Sequence, residues 1–331
     1  MPPRQPIPRK EPRPHTVSIF DNLLFSLSTT LPILIWLIAG LLLRRTKRIS
    51  DDFIADGNYL VFTWCLPTLL FLNIARAPLT EVWQGDLITY AVLFTLGSIV
   101  LLWFLTPQLT RDITSRGVFI QGAFRGNMGI VGLAMVVNAF GASAIPLASL
   151  YLAVLTFLYN MASVVVLQLG QGQGVAPLRM LSQMARNPLM IGVVAGVAWS
   201  LSGLPMPDLA DNTLQGLADL TLPIALLCIG ASLRWRSLKG NRLLVLWATL
   251  FKLVLLPALA ALGGVWLGFR GEQLGILYLM MAAPTAAASF VMARAMTQWG
   301  NLAAEIIVIT TLFSLFSTTL GLFVLRLTGL I

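Results

Sequence analysis

Ten apolar segments follow one another along the chain, at approximately 22–43, 53–75, 86–107, 117–139, 143–169, 189–203, 213–233, 241–268, 272–296 and 301–328. A helix needs about 20 apolar residues to cross a hydrocarbon core of about 30 Å, and every segment but the sixth reaches that length. The sixth is short and borrows residues from Asn187 and Leu204. With 57% hydrophobic residues, 11% charged residues and a mean hydropathy of +0.84, the 331-residue chain is too apolar for a soluble globule. It reads as an all-α membrane protein.

The net charge of +9 does not signal nucleic acid, because the bases are spread over connections along the whole chain. Their distribution instead sets orientation. The connections after the first, third, fifth and seventh segments carry Arg44, Arg45, Lys47, Arg48, Arg111, Arg116, Arg179, Arg186, Arg234, Arg236, Lys239 and Arg242. Those after the second, fourth, sixth and eighth carry only Arg76 and Arg270. The first set is expected in the cytoplasm and both termini outside, although four bases in the amino-terminal tail oppose this. That tail, 1–21, is rich in proline and arginine and reads as disordered. No small-residue cleavage site marks it as a signal peptide.

The main polar connection, 170–187, carries glycines without the Gly-Lys-Ser/Thr ending of a phosphate loop, so it reads as a linker. On either side of it the chain repeats itself. A shift of 156 residues places Pro32 on Pro188, Pro67 on Pro223, and Asn127 on Ala283 beside Pro284, while LPTLL at 66–70 falls on LPIAL at 222–226. Two repeats of five spans, 22–169 and 188–331, follow. An odd number of spans per repeat makes the second enter from the opposite face, an inverted arrangement found in secondary transporters.

Two segments are interrupted at corresponding places. Gln121 to Met135 carries Arg125, Asn127 and the glycines Gly122, Gly126, Gly129 and Gly132. Arginine inside hydrocarbon costs at least about 2.5–3.5 kcal/mol, so Arg125 either faces a polar site at a broken helix or snorkels to an interface. Counting about 1.5 Å per residue from Gly117 places Arg125 to Asn127 about 12–15 Å deep, near mid-membrane. The second interruption is Pro284, which withholds a backbone donor at about the same depth. Paired half-helix starts would favour an anion. Lys252 adds a second intramembrane cation: it either contributes to that site, or snorkels or bonds a carbonyl freed by Pro257. No midplane carboxylate accompanies these cations, since Asp219 and Glu305 lie near segment ends.

Enzymatic readings find no support. The one histidine, His15, lies in the tail, and Cys65 and Cys228 stand apart in apolar segments, so neither a disulfide framework nor a metal site is implied. Ser232 and Ser289 have no histidine partner for nucleophilic work. No cofactor is expected.

The stretches AFRGNMGIVGLAMVVNAFG (123–141), NPLMIGVVAGVAWSLSGLPMP (187–207), LADLTLPIALLCIGASL (217–233) and AAPTAAASFVMARAM (282–296) together resemble auxin efflux carrier family transporters, whose bacterial members include organic-acid carriers. The resemblance implies ten transmembrane helices in two inverted repeats, with helices 4 and 9 broken and crossing at the substrate site. By it, Gly126, Asn127 and Met128 match the first crossover and Pro284-Thr285 the second. Members often carry an asparagine just after the second crossover, where this chain has Ala286, Ala287 and Ala288; Thr285 and Ser289 remain as polar candidates. The expected substrate-binding set is therefore Arg125, Gly126, Asn127, Met128, Gly129, Lys252, Pro284, Thr285 and Ser289. The expected function is secondary transport of a small organic anion, a carboxylate, across the inner membrane by alternating access. The alternative is a membrane receptor or assembly protein that binds a ligand without moving it. The partners admitted are the anion, a coupling proton or sodium ion, the lipid bilayer and a second copy of the chain.

Overall fold

The computed structural model describes residues 19–76, 84–172, 186–232 and 242–331. Most of the expected tail and linker, and the bases Arg179, Arg234, Arg236 and Lys239, lie outside the described residues. Within them all regular structure is helical and no strand occurs. The elements are α1 (Ile19–Arg45), α2 (Asp51–Ala75), α3 (Gly85–Leu109), α4 (Ile113–Phe124), α5 (Met128–Phe140), α6 (Ile145–Gly170), α7 (Pro188–Ser202), α8 (Asp208–Ser232), α9 (Arg242–Trp266), α10 (Gly271–Ala282), α11 (Ala288–Met296) and α12 (Gly300–Leu327). Among the described residues, seven helical stretches are long and apolar enough to cross a membrane: α1, α2, α3, α6 with its preceding turn, α8, α9 and α12. Two others, α5 and α7, are apolar but shorter.

Local chemistry sets many of the boundaries. Ser50 caps α2 by accepting from the Phe53 amide at 3.0 Å, and Asn187 caps α7 by accepting from Leu189 at 2.9 Å. Arg44 and Arg45 end α1, where cations complement the carbonyl end of the dipole. Two helices widen in mid-course, at Val61–Cys65 in α2 and Phe251–Leu255 in α9. Each wide turn precedes a Leu-Pro pair, Leu66-Pro67 or Leu256-Pro257. The proline has no N–H for the carbonyl four residues back, and the ladder expands to accommodate the loss.

Burial sorts the helices into an outer shell and a central layer. Large apolar side chains point outward from the shell, among them Phe104 on α3, Val194 on α7, Leu262 on α9 and Phe316 on α12. By contrast every residue from Gly117 to Phe124 on α4 and from Leu274 to Ala282 on α10 is buried. Hydrocarbon gives helices no hydrophobic reason to associate, so close backbone approach at small residues does the work. A methyl group at Gly40 of α1 would collide with the Leu227 carbonyl of α8, and one at Gly230 of α8 with the Leu37 carbonyl of α1. Likewise Gly192 and Gly196 of α7 lie against the Pro67 and Phe71 carbonyls of α2.

Contacts between connections tie the bundle at its ends. Thr114 accepts from Trp299 Nε1 at 2.8 Å through its hydroxyl and from Gln171 Nε2 at 3.1 Å through its carbonyl. This joins the first turn of α4 to the end of α6 and the start of α12. Arg76, just past α2, pairs with Asp211 at 2.6 Å and donates to Gln215, both on α8. The Gly271 amide donates to Leu330 at 2.8 Å, tying the α9–α10 turn to the carboxyl-terminal end.

Candidate functional site

Helix α4 stops at Phe124 because the next residues leave the helical region: Arg125 is extended at φ −78°, ψ 98° and Asn127 has φ −80°, ψ 60°. Helix α10 stops at Ala282 in the same manner, with Ala283 at φ −55°, ψ 136° ahead of Pro284. The two breaks meet. Gly126 and Thr285 form an isolated antiparallel bridge, in which the Asn127 amide donates to the Pro284 carbonyl at 2.6 Å and the Ala286 amide to the Arg125 carbonyl at 3.0 Å. Each interruption thus supplies the other with the partners it loses by leaving the helix. The Thr285 amide donates to Thr310 Oγ1 of α12 at 3.1 Å, and its hydroxyl to the Gly122 carbonyl of α4 at 2.7 Å.

A cavity of about 280 Å³ lies on one side of this crossing. Arg125, Gly126, Asn127, Met128 and Gly129 form one wall. Ala286, Ala287 and Ala288, Phe62, Thr63 and Leu66 of α2, and Asn187, Pro188 and Leu189 at the start of α7 also line the cavity. The first turns of α5 and α11 therefore both border the cavity, and helix starts carry unpaired N–H groups and partial positive charge. Arg125, 7% exposed, donates to Asn160 Oδ1 at 2.6 Å and Ser163 Oγ at 2.9 Å on α6, and touches Met292 Sδ at 2.9 Å. A guanidinium has five N–H groups, and these neutral partners leave donors over for a ligand. Asn127, 8% exposed, has no partner for its carboxamide among the described residues, while its backbone carbonyl accepts from Val131 and Gly132. Among the described residues, Arg125 is the one charged residue in the lining, and no carboxylate appears there.

The remaining expected residues lie elsewhere. Pro284 and Thr285 build the crossing itself through their backbone. Ser289, 1% exposed, lies outside the cavity lining with its hydroxyl unpaired. Lys252, also 1% exposed, does not line the cavity either; its ammonium donates to the Met281 carbonyl at 2.8 Å. The carbonyl it bonds is freed by the 283–287 break rather than by Pro257. In an unbroken helix Met281 would accept from the Thr285 amide, which donates to Thr310 instead.

Sequence reasoning missed the α6 wall, formed by Leu152, Thr156, Tyr159 and Asn160. The signal was available, since Thr156 and Asn160 are four apart and so share a helix face within an apolar segment. The α7 start, Asn187 to Leu189, was read only as the edge of a short span.

Comparison with known proteins finds membrane transporters. The family described as membrane transport protein matches residues 25–322. A Rhizobium meliloti (strain 1021) protein named "Putative malonate transporter" is 28% identical over 81% of this chain and 86% of its own length. An "Uncharacterized transporter" of Methanothermobacter thermautotrophicus is 25% identical over 89% of this chain and 97% of its own. The "Uncharacterized transporter YfdV" of Escherichia coli (strain K12) is 23% identical over 92% and 99%.

Proposed function

This chain belongs to the membrane transport protein family, that of the auxin efflux carriers, and from that premise we propose that it is a secondary carrier for a small organic anion, working by alternating access. The anion, a carboxylate, binds in the cavity beside the crossing. The observation that carries this reading is the character of the lining among the described residues: one guanidinium, an unpaired carboxamide at Asn127, two helix starts and no carboxylate. A desolvated anion finds there the donors it gives up in water. The malonate in the name of the Rhizobium meliloti relative agrees with a small carboxylate.

In this reading α4 with α5, and α10 with α11, each make one broken crossing, giving ten spans in two inverted repeats, 22–169 and 188–331, joined by the linker 170–187. A shift of 156 residues carries Gly40 onto Gly196 and Phe71 onto Leu227. The contact of Gly40 with the Leu227 carbonyl and that of Gly196 with the Phe71 carbonyl then become one contact seen twice, which supports the repeat. The closely packed pairs α1–α8 and α2–α7 form the support. The crossing group moves against them, opening the cavity to one face and then the other. The protein sits in the inner membrane with both termini outside, and a proton or sodium gradient, or that of the substrate, drives net movement.

The test has two stages. Purified protein is screened by thermal shift against mono- and dicarboxylates beginning with malonate, and the tightest binder is followed by counterflow in reconstituted vesicles. Exchange of labelled anion is expected. Binding without exchange would make the protein a receptor, and stabilisation only by cations or neutral solutes would remove the anion reading.

A further inference from the structure

Lys252 has no part in the cavity wall, yet it touches the back of it. A methyl group placed on Gly126, which lines the cavity, would lie 3.0 Å from Lys252 Nζ and 3.4 Å from the carbonyls of Met280 and Ala283. The ammonium itself donates to Met281 at 2.8 Å. It therefore stands among the last carbonyls of α10, directly behind the Gly126–Thr285 bridge. These carbonyls lost their amide partners when the helix broke, and a helix end carries partial negative charge. Lys252 forms no ion pair with a described residue.

Half-helix carboxyl ends and unwound carbonyls are where carriers with broken helices coordinate free coupling cations. Here that position is filled by a side chain. Resting on the carrier reading above, we infer that the Lys252 ammonium is a tethered substitute for a coupling cation at the α10 carboxyl end, so that substrate binding requires no free sodium ion. The geometry explains two features together. The negative end of α10 would otherwise face the bound anion through a glycine, where no side chain intervenes. In addition, the ammonium has only one hydrogen-bonding acceptor among the described residues, so its position is set by charge as much as by bonding. A side chain at Gly126 would crowd the ammonium from the cavity side.

The experiment begins with the unaltered protein. Anion affinity, read by calorimetry with malonate or the tightest binder of the panel, should be the same in sodium and in choline chloride. A sodium requirement overturns the inference. Lys252→Ala should lower that affinity by about tenfold or more, because the negative end of α10 then faces the anion unscreened. Propylammonium chloride or sodium chloride should restore it by occupying the vacated position. Both salts should also raise the melting temperature of Lys252→Ala without any anion present, relative to choline. This arm stands even if malonate is not a ligand, so it separates failure of this inference from failure of the carrier reading. Lys252→Met keeps the volume and removes the charge. Unchanged anion affinity in Lys252→Met, or a Lys252→Ala protein that no cation stabilises or restores, overturns the inference.

Discussion

The amide of Asn127 donates to the carbonyl of Pro284 at 2.6 Å, so the residue with a free carboxamide at the cavity is held by the residue that breaks the opposite helix. The side chain of Asn127 and its backbone therefore do separate jobs. Asn127→Ala keeps the backbone bond and should lower anion affinity by about tenfold with little change in melting temperature. Pro284→Ala allows a more continuous α10–α11 and should shift both affinity and thermal stability. The double variant should lose less affinity than the two single losses combined, because the residues share one structural unit. Strict additivity by calorimetry would mean the two breaks act independently.

Arg125 is held by Asn160 and Ser163, neither of which carries charge. Arg125→Gln should abolish measurable anion binding while the protein remains inserted and monodisperse. Arg125→Lys should recover only part, since an ammonium lacks the planar fork that pairs with a carboxylate. Asn160→Leu leaves a buried guanidinium short of a partner and should destabilise by about 1–3 kcal/mol. Wild-type uptake in both Arg125 variants would place the arginine outside the transport site.

Close backbone approach at α1–α8 and α2–α7 makes a contrast between glycines. Gly196→Val and Gly230→Val should each destabilise by about 1–3 kcal/mol or more, because the added carbons meet backbone carbonyls that cannot rotate away. Gly97→Ala, with nothing within 4 Å of the new methyl, should be neutral or slightly stabilising through helix propensity. Melting temperatures in one detergent decide this; equal losses at all three positions would contradict the packing described.

Asp112 caps α4, accepting from the Thr114 hydroxyl at 2.6 Å and the Thr114 amide at 2.9 Å. These bonds, the hydroxyl first, hold its carboxyl below the ordinary carboxylate range. A lowered folded-state pKa contributes stability that is present above the unfolded value of about 3.9 and is lost as pH falls through the folded value. Asp112→Ala should cost about 1 kcal/mol at neutral pH. The difference in melting temperature between the two proteins should shrink as the pH drops below about 4. A constant difference down to acid pH would assign the effect to something other than the carboxylate.

Sidedness has a direct check. Thr46 and Asp208 are both exposed, and after replacement of Cys65 and Cys228 a cysteine at position 46 should label from the cytoplasm and one at 208 from outside. Labelling from the same side would remove the five-plus-five inversion.

What the sequence determined about this protein is what single residues dictate locally. The membrane-spanning character, the helical class and the sites of interruption at Arg125 to Asn127 and at Pro284 were all legible. A buried charge, a missing N–H and a run of apolar side chains have the same consequence wherever the chain goes. The family resemblance followed from the same stretches. Only the tertiary structure decided which polar groups face the cavity and which are consumed by the fold. Lys252 and Thr285 looked equivalent to Asn127 as polar residues near a break. Yet Lys252 is committed to Met281, and Thr285 to Gly122 and Thr310, because α9 and α12 pack behind the crossing and present those partners. Asn160 and Asn187 border the cavity for the converse reason, since α6 and the start of α7 also contribute to its lining. Hydrogen-bond partnership in a low-dielectric interior is settled by which helices meet, and that is a property of the whole bundle rather than of any one segment.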